Sequence, residues 1–184
     1  MHDFLVWVDN TPWSIALLES YWVWPLLEST HVLFLAVFVG TAIVNDLRLL
    51  GWSLKGIPVS EVTGRILPWT RGGFVVMVVT GVLLFYSDPV YYYHNMFFRF
   101  KMVLLVFAGL NAFLFHKRIH QSVKDWDHLD VLPKAARRAG LLSLIAWGFI
   151  VISGRLVAYN WFTCDLQPQP AFVNWVSGCI LVVQ

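Results

Sequence analysis

The sequence predicts an all-α, polytopic membrane protein: a four-transmembrane-helix bundle with an N-terminal interfacial helix and a short apolar C-terminal tail. Three observations carry that prediction. Of 184 residues, 58% are hydrophobic and 13% charged, whereas soluble domains are about a quarter charged, and the mean hydropathy is +0.65. Four long apolar runs, at about 25–45, 66–87, 97–116 and 140–160, each match the ~20 residues that cross the ~30 Å hydrocarbon core. The Lys and Arg residues, finally, gather in two of the segments that connect those runs.

Residues 1–24 hold no Lys or Arg, so the basic n-region of a signal peptide is missing. They read as an interfacial segment, with Thr11 as an N-cap and Pro12 at the first helical position. The bundle occupies 25–160. Gly72, Gly73 and Gly81 on the second span, Ala108, Gly109 and Ala112 on the third and Gly148 on the fourth permit close helix approach. Asn111 lies mid-span, where an amide makes an interhelical hydrogen bond. Residues 161–184 form a tail whose apolar stretch around Cys179 is too short to span; it is interfacial, re-entrant or packed on another subunit. No segment outside the spans is long enough to fold as a separate domain.

Charge gives the orientation. Arg48, Lys55, Arg65 and Arg71 surround the first loop, and Lys117, Arg118, Lys124, Lys134, Arg137 and Arg138 the second. A four-span topology puts both loops on one side. The other side carries Asp3, Asp9, Glu19, Asp88 and Asp165, with Arg99, Lys101 and Arg155 near it. The positive-inside rule then places the 46–68 and 117–139 loops in the cytoplasm and both termini outside. Trp22, Trp24, Tyr86, Tyr91, Tyr92, Tyr93, Tyr159 and Trp161 mark the outer boundary, and Trp52 and Trp69 the inner one. The net charge of +2 is therefore a topology signal and points away from nucleic acid as a partner. No phosphate-binding glycine loop, zinc-type CxxC pair or Ser-His-Asp spacing occurs. Cys164 and Cys179 both follow the fourth span on the oxidising side. They read either as a disulfide or as two apolar-packed thiols.

Helical rise of ~1.5 Å per residue converts position into depth. It puts Glu28 ~5 Å, His31 ~9 Å, Lys101 ~6 Å and Arg155 ~8 Å below the outer boundary. Ionisable groups at such depth are expensive and are commonly paired or functional. Glu28 and His31 share a face by the i,i+3 rule, so a Glu28–Arg155 or Glu28–Lys101 pair beside His31 is expected. The layer then either holds a ligand or locks the first and fourth spans together. Two axial histidines of a haem need similar depths. His31 and His116 lie ~19 Å apart along the normal and cannot share an iron, while His94 reaches His31 only if the third span extends outward by a turn; His2 could also fold back to this layer. At the inner boundary, His116 and His120 stand one turn apart, as metal or haem ligands can, or as solvated histidines near anionic headgroups.

Trp24-Pro-Leu-Leu-Glu-Ser-Thr-His-Val-Leu33, Gly40-Thr, Asp46-Leu-Arg-Leu-Leu-Gly51, Leu67-Pro-Trp-Thr70, Thr80-Gly-Val-Leu-Leu-Phe85, Phe97-Phe-Arg-Phe-Lys-Met102, Leu110-Asn-Ala-Phe-Leu-Phe-His116 and Gly154-Arg155 together resemble an uncharacterised four-span family of small bacterial inner-membrane proteins. The resemblance runs over roughly residues 10–160 and implies a fold, with no established activity to carry over. In architecture and intramembrane histidines the bundle is more distantly similar to b-type cytochrome membrane subunits and to copper-resistance D type proteins. It lacks the two-histidines-per-helix pattern usual in dihaem bundles.

The functional expectation is an integral membrane subunit of an electron-transfer system that holds haem b or a quinone near the periplasmic face. His31 is then a haem ligand or quinone hydrogen-bond partner, oriented by Glu28. Lys101 and Arg155 neutralise haem propionates or the charge of a reduced quinone, and His94 completes the set. The alternative is a non-catalytic accessory or anchor subunit of a larger membrane complex, in contact with other membrane subunits or with further copies of itself. A copper or small-solute permease is a third reading, its soft ligands Met77, Met96 and Met102 being scattered.

Overall fold

A computed structural model describes residues 2–118, 123–127, 129, 131–162, 164 and 167–179. Its elements are α1 (His2–Asp9), α2 (Pro12–Leu18), α3 (Val23–Leu50), α4 (Val59–Ser87), α5 (Pro89–Tyr93), α6 (Met96–Arg118), α7 (Val123–Trp126), α8 (Lys134–Leu156), a 3-10 turn (Asn160–Phe162) and α9 (Ala171–Ser177). Among the described residues there is no strand. The four long helices α3, α4, α6 and α8 are long and apolar enough to cross a membrane, so the chain is a multi-pass membrane protein.

The helices outrun the apolar runs at the end where the basic loops lie, here called the basic end. α3 continues to Leu50, α4 begins at Val59 and α8 at Lys134. Helix propagation adds one hydrogen bond per residue, so a helix does not stop where hydropathy does; it stops where the backbone must turn. Gly51 at φ +72 closes α3, in the left-handed region that only glycine enters cheaply. Pro58 and Pro133, both extended, precede α4 and α8, as the proline ring requires of an entry residue. α8 in turn ends at Leu156, short of the residue 160 read from hydropathy.

α3 packs against both α4 and α8, and α6 packs against α8, so the helices form an arc in the order α4–α3–α8–α6. α4 and α6 do not pack along their length; they are joined by α5 and by Phe85 stacked on Phe98, ring centroids 5.6 Å apart. The α3–α4 contact is close because Gly73 offers no side chain: a Cβ there would stand 3.1 Å from Phe38 Cβ. The Phe38 ring then meets Trp147 of α8 edge-on at 4.9 Å. At Gly140, α8 comes as close to Asp46 and Leu49 of α3. Ala108, Ala146 and Ile150 close the α6–α8 seam, and Leu49, Val59, Val123, Trp126, Leu132 and Ala136 form a core at the basic end. A polar ladder crosses the α3–α4 seam as well. Thr70 Oγ1 donates to Thr41 Oγ1 at 2.9 Å and Thr63 Oγ1 to Asn45 Oδ1 at 2.7 Å; such bonds average about 0.6 kcal/mol in membranes. As expected, Asn111 bonds between helices, its Nδ2 donating to Ala139 O at 3.0 Å.

At the opposite, aromatic end, the N-terminal segment is two short helices, and Thr11 caps α2 through a bond from Ser14 N at 3.3 Å. Ser14 Oγ reaches the last carbonyls of α4, Tyr86 O at 2.9 Å and Ser87 O at 3.2 Å. Cys164 and Cys179 form a disulfide that closes the loop leading to α9.

The Gly73 contact makes a definite prediction. Gly73→Leu overpacks the α3–α4 seam at a cost of about 1–3 kcal/mol and lowers the melting temperature in detergent by several degrees. Gly40→Leu, where nothing lies within 4 Å of an added Cβ, leaves it unchanged. Thermal unfolding of the two purified variants checks this.

Candidate functional site

Glu28 and His31 stand on α3, Lys101 on α6 and Arg155 on α8, so the four residues assigned to one layer come from three helices, and they face differently. His31 on α3 turns to α4: its Nδ1 is 2.8 Å from Thr80 Oγ1, and the hydroxyl of Thr80 is itself held by Val76 O at 2.7 Å. Since the Thr80 proton goes to Val76 O, His31 Nδ1–H is the donor to Thr80 Oγ1 and the lone pair of the imidazole sits on Nε2. The ring lies against Gly81, where a Cβ would stand 3.2 Å from His31 Cε1. Lys101 on α6 is half-buried and lies along Gly154 of α8, whose missing Cβ would be 3.7 Å from Lys101 Nζ. Lys101 has no ion-pair or hydrogen-bond partner among the described residues. An ammonium and an imidazole thus share one layer, each set where a glycine leaves a helix backbone bare.

Glu28 does not join them. Neither the Glu28–Lys101 nor the Glu28–Arg155 pair forms, because three residues advance a helix by about 300° and leave the two side chains about 60° apart. That angle turns His31 into the α3–α4 seam and leaves Glu28 exposed at its rim, within electrostatic reach of Tyr92. Arg155 is exposed too, and its guanidinium lies over the Tyr159 ring, 5.4 Å from the centroid. It extends along its own helix toward the boundary, as long cationic side chains near membrane interfaces do.

The other histidines lie elsewhere. His94 sits at the C-terminal cap of α5 rather than on an extended α6. Its Nδ1 bonds Ser177 O of α9 at 3.1 Å, and its ring meets His2 edge-on at 5.4 Å. His2 therefore folds back, but onto His94 and away from His31. His116 is in the last turn of α6 at the basic end, and His120 lies outside the described residues. Among the described residues no group of three or more His, Cys, Asp or Glu gathers that could hold a metal ion.

Several residues that set the geometry are invisible as site residues in the sequence. Asn95, 2% exposed, caps α6 by accepting from Phe97 N and Phe98 N, and donates to Val157 O at the end of α8 at 3.2 Å. Arg99 donates to Tyr93 O and to Val176 O, both at 2.7 Å, and so fastens α9 to the start of α6. Thr80 is an ordinary threonine until α3 places His31 beside it. The Asn95-x-Phe-Phe pattern before an apolar run is a capping signal that could have located α6 more sharply.

A family described as "Family of unknown function (DUF6644)" matches residues 22–160. No curated protein and no solved structure matches the chain.

Burial, then Asp88, Tyr91 and Glu28, push the phenol of Tyr92 up to about 12. A raised pKa favours the neutral phenol in the folded state, so its stabilising effect is complete below pH ~10. It fades as pH rises from there through about 12. Ultraviolet titration of phenolate absorbance is expected to show one tyrosine ionising near 12, and Glu28→Gln to bring that step down.

Proposed function

The chain belongs to the DUF6644 family, whose function is unknown, and from the His31–Lys101 layer we propose that it is an integral membrane subunit of an electron-transfer system that binds a quinone. We place the site near the periplasmic face of a bacterial inner membrane, as the distribution of basic residues implies. The observation that carries this reading is Lys101, an ammonium on a spanning helix that has no ion-pair or hydrogen-bond partner among the described residues and falls, by helical rise, in the same layer as His31. A cation at that depth calls for an oxygen acceptor. A quinone carbonyl supplies one, and reduction makes it a better acceptor.

The α4–α6 opening supports the same reading. A lipid-soluble ligand must enter sideways, and the arc of helices is unpacked between α4 and α6. Exposed residues on these two helices are apolar, among them Val79 and Leu83 on α4 and Phe100 and Val103 on α6. A quinone bound there would be held by Lys101 Nζ donating to a carbonyl oxygen and by the His31 ring, itself positioned by Thr80; the quinone would supply two-electron, two-proton redox chemistry, its electrons exchanged with a redox partner. A haem fits this layer less well. It would need a second axial ligand facing His31, and His94 is held instead by Ser177 and His2.

The accessory-subunit reading draws on a different observation. Glu28 is exposed on a spanning helix between the exposed apolar residues Leu26 and Val32, a position at which a partner helix would relieve its cost.

One preparation tests both. Protein purified in mild detergent is extracted for isoprenoid quinones and titrated with a short-chain quinone. Lys101→Met and His31→Leu each weaken binding by about 10–100-fold, as the loss of a charged or buried hydrogen bond implies, while Glu28→Gln does not. Wild-type protein that neither carries nor binds quinone overturns the proposal. If Glu28→Gln then disrupts a co-purifying complex, the accessory reading stands in its place.

A further inference from the structure

The basic end of α8 carries a feature that the quinone reading does not use. Lys134, Arg137, Arg138 and Leu141 follow i, i+3, i+4, i+7 spacing and so lie on one helix face. Together with Leu50 at the end of α3 they border an open, largely apolar depression of about 210 Å³, with the exposed cationic heads at its rim. The three cations are exposed, and they form no ion pair among the described residues. The first turn of α8 contains no acidic residue to offset them. Crowding three like charges within five residues is unfavourable by itself. It becomes favourable when an anion is supplied from outside the chain.

The face also changes character along its length. Beyond the cations it continues as Leu141 and Ile145, both exposed, as α8 runs into the bilayer. Leu50, which is buried, forms the inner wall of the depression. A phosphate on the cationic part thus has an apolar track leading directly from it toward the membrane interior. A free phosphate would use the first part and leave the second idle, whereas a phospholipid uses both. Anionic lipids are concentrated on the side to which basic loops are assigned.

We propose that the depression between Leu50 and the Lys134–Arg138 turn is a binding site for an anionic glycerophospholipid. Its phosphodiester is held by Lys134, Arg137 and Arg138, and an acyl chain runs along Leu141 and Ile145.

The test uses the full-length protein in detergent, titrated with fluorescent phosphatidylglycerol, with phosphatidylcholine as the uncharged comparison. Arg137→Gln/Arg138→Gln is set against Lys55→Gln/Lys117→Gln, which removes the same charge from the same end of the molecule outside the depression. The first pair is expected to weaken phosphatidylglycerol binding roughly thirtyfold, as loss of two phosphate-facing cations implies, and the second to change it less than about twofold. Arg137→Lys/Arg138→Lys, which keeps the charge, retains most of the affinity and guards against misfolding as the cause. Leu141→Asn is expected to weaken binding of the lipid while leaving competition by glycerol 3-phosphate unchanged. Equal losses in the two glutamine pairs would reduce the effect to general surface potential and overturn the proposal. So would equal binding of phosphatidylcholine, or displacement of the lipid by inorganic phosphate at the concentration of the lipid itself.

Discussion

Inside a bilayer there is no water to satisfy a loose peptide group, so a spanning helix must find protein partners for its terminal N–H and C=O groups wherever it ends near the hydrocarbon. The aromatic end of this molecule is organised around that requirement. Ser14 reaches the last carbonyls of α4. Asn95 caps the first amides of α6 and, with Tyr91, donates to the Val157 carbonyl that ends α8. Arg99 and His94 hold the carbonyls of Val176 and Ser177 at the end of α9. The short helices are therefore more than connections: α2 through Ser14 and α5 through Tyr91 supply partners for the last carbonyls of α4 and α8.

With the ends held, depth and rotation are both determined. Asn95 holds the start of α6 against the end of α8, which brings Lys101 onto Gly154. The Phe38–Gly73 contact and the threonine ladder hold α3 on α4, which brings His31 onto Thr80 and Gly81. The same packing leaves α4 and α6 apart below Phe85 and Phe98. The positions of Lys101 and His31 and the separation of α4 from α6 are thus two results of one arrangement.

The two ends of the molecule handle charge differently. At the aromatic end single charges are spread around the bundle, with Glu28 and Arg155 outward and Lys101 inward. At the basic end some charge is enclosed: Arg48, 3% exposed, donates from Nε to Ile57 O at 2.7 Å and so braces the turn between α3 and α4, while Ser60 donates to Asp127. Other charge, on the first turns of α8, is left outward on an amphiphilic face. Enclosed charge shapes the loops, and outward charge is available to the lipid phase.

Four spans, their order and the basic and aromatic ends were legible in the amino-acid sequence, and helical rise assigned His31, Lys101, Glu28 and Arg155 a common depth. Hydropathy, charge and helical rise are properties of the chain taken one residue at a time, and the bilayer reads them directly. Rotation about each helix axis was not legible. A difference of about 60° between Glu28 and His31 decides which of them enters the bundle, and it is decided by Gly73, Gly81 and Gly154, whose missing side chains let particular helix faces approach. The same holds for His94, whose partners come from α1 and α9, far away in sequence. Depth came from the chain itself; which charged groups meet is decided only by packing, because contact between helices depends on azimuth and a linear sequence carries azimuth only relative to its own axis.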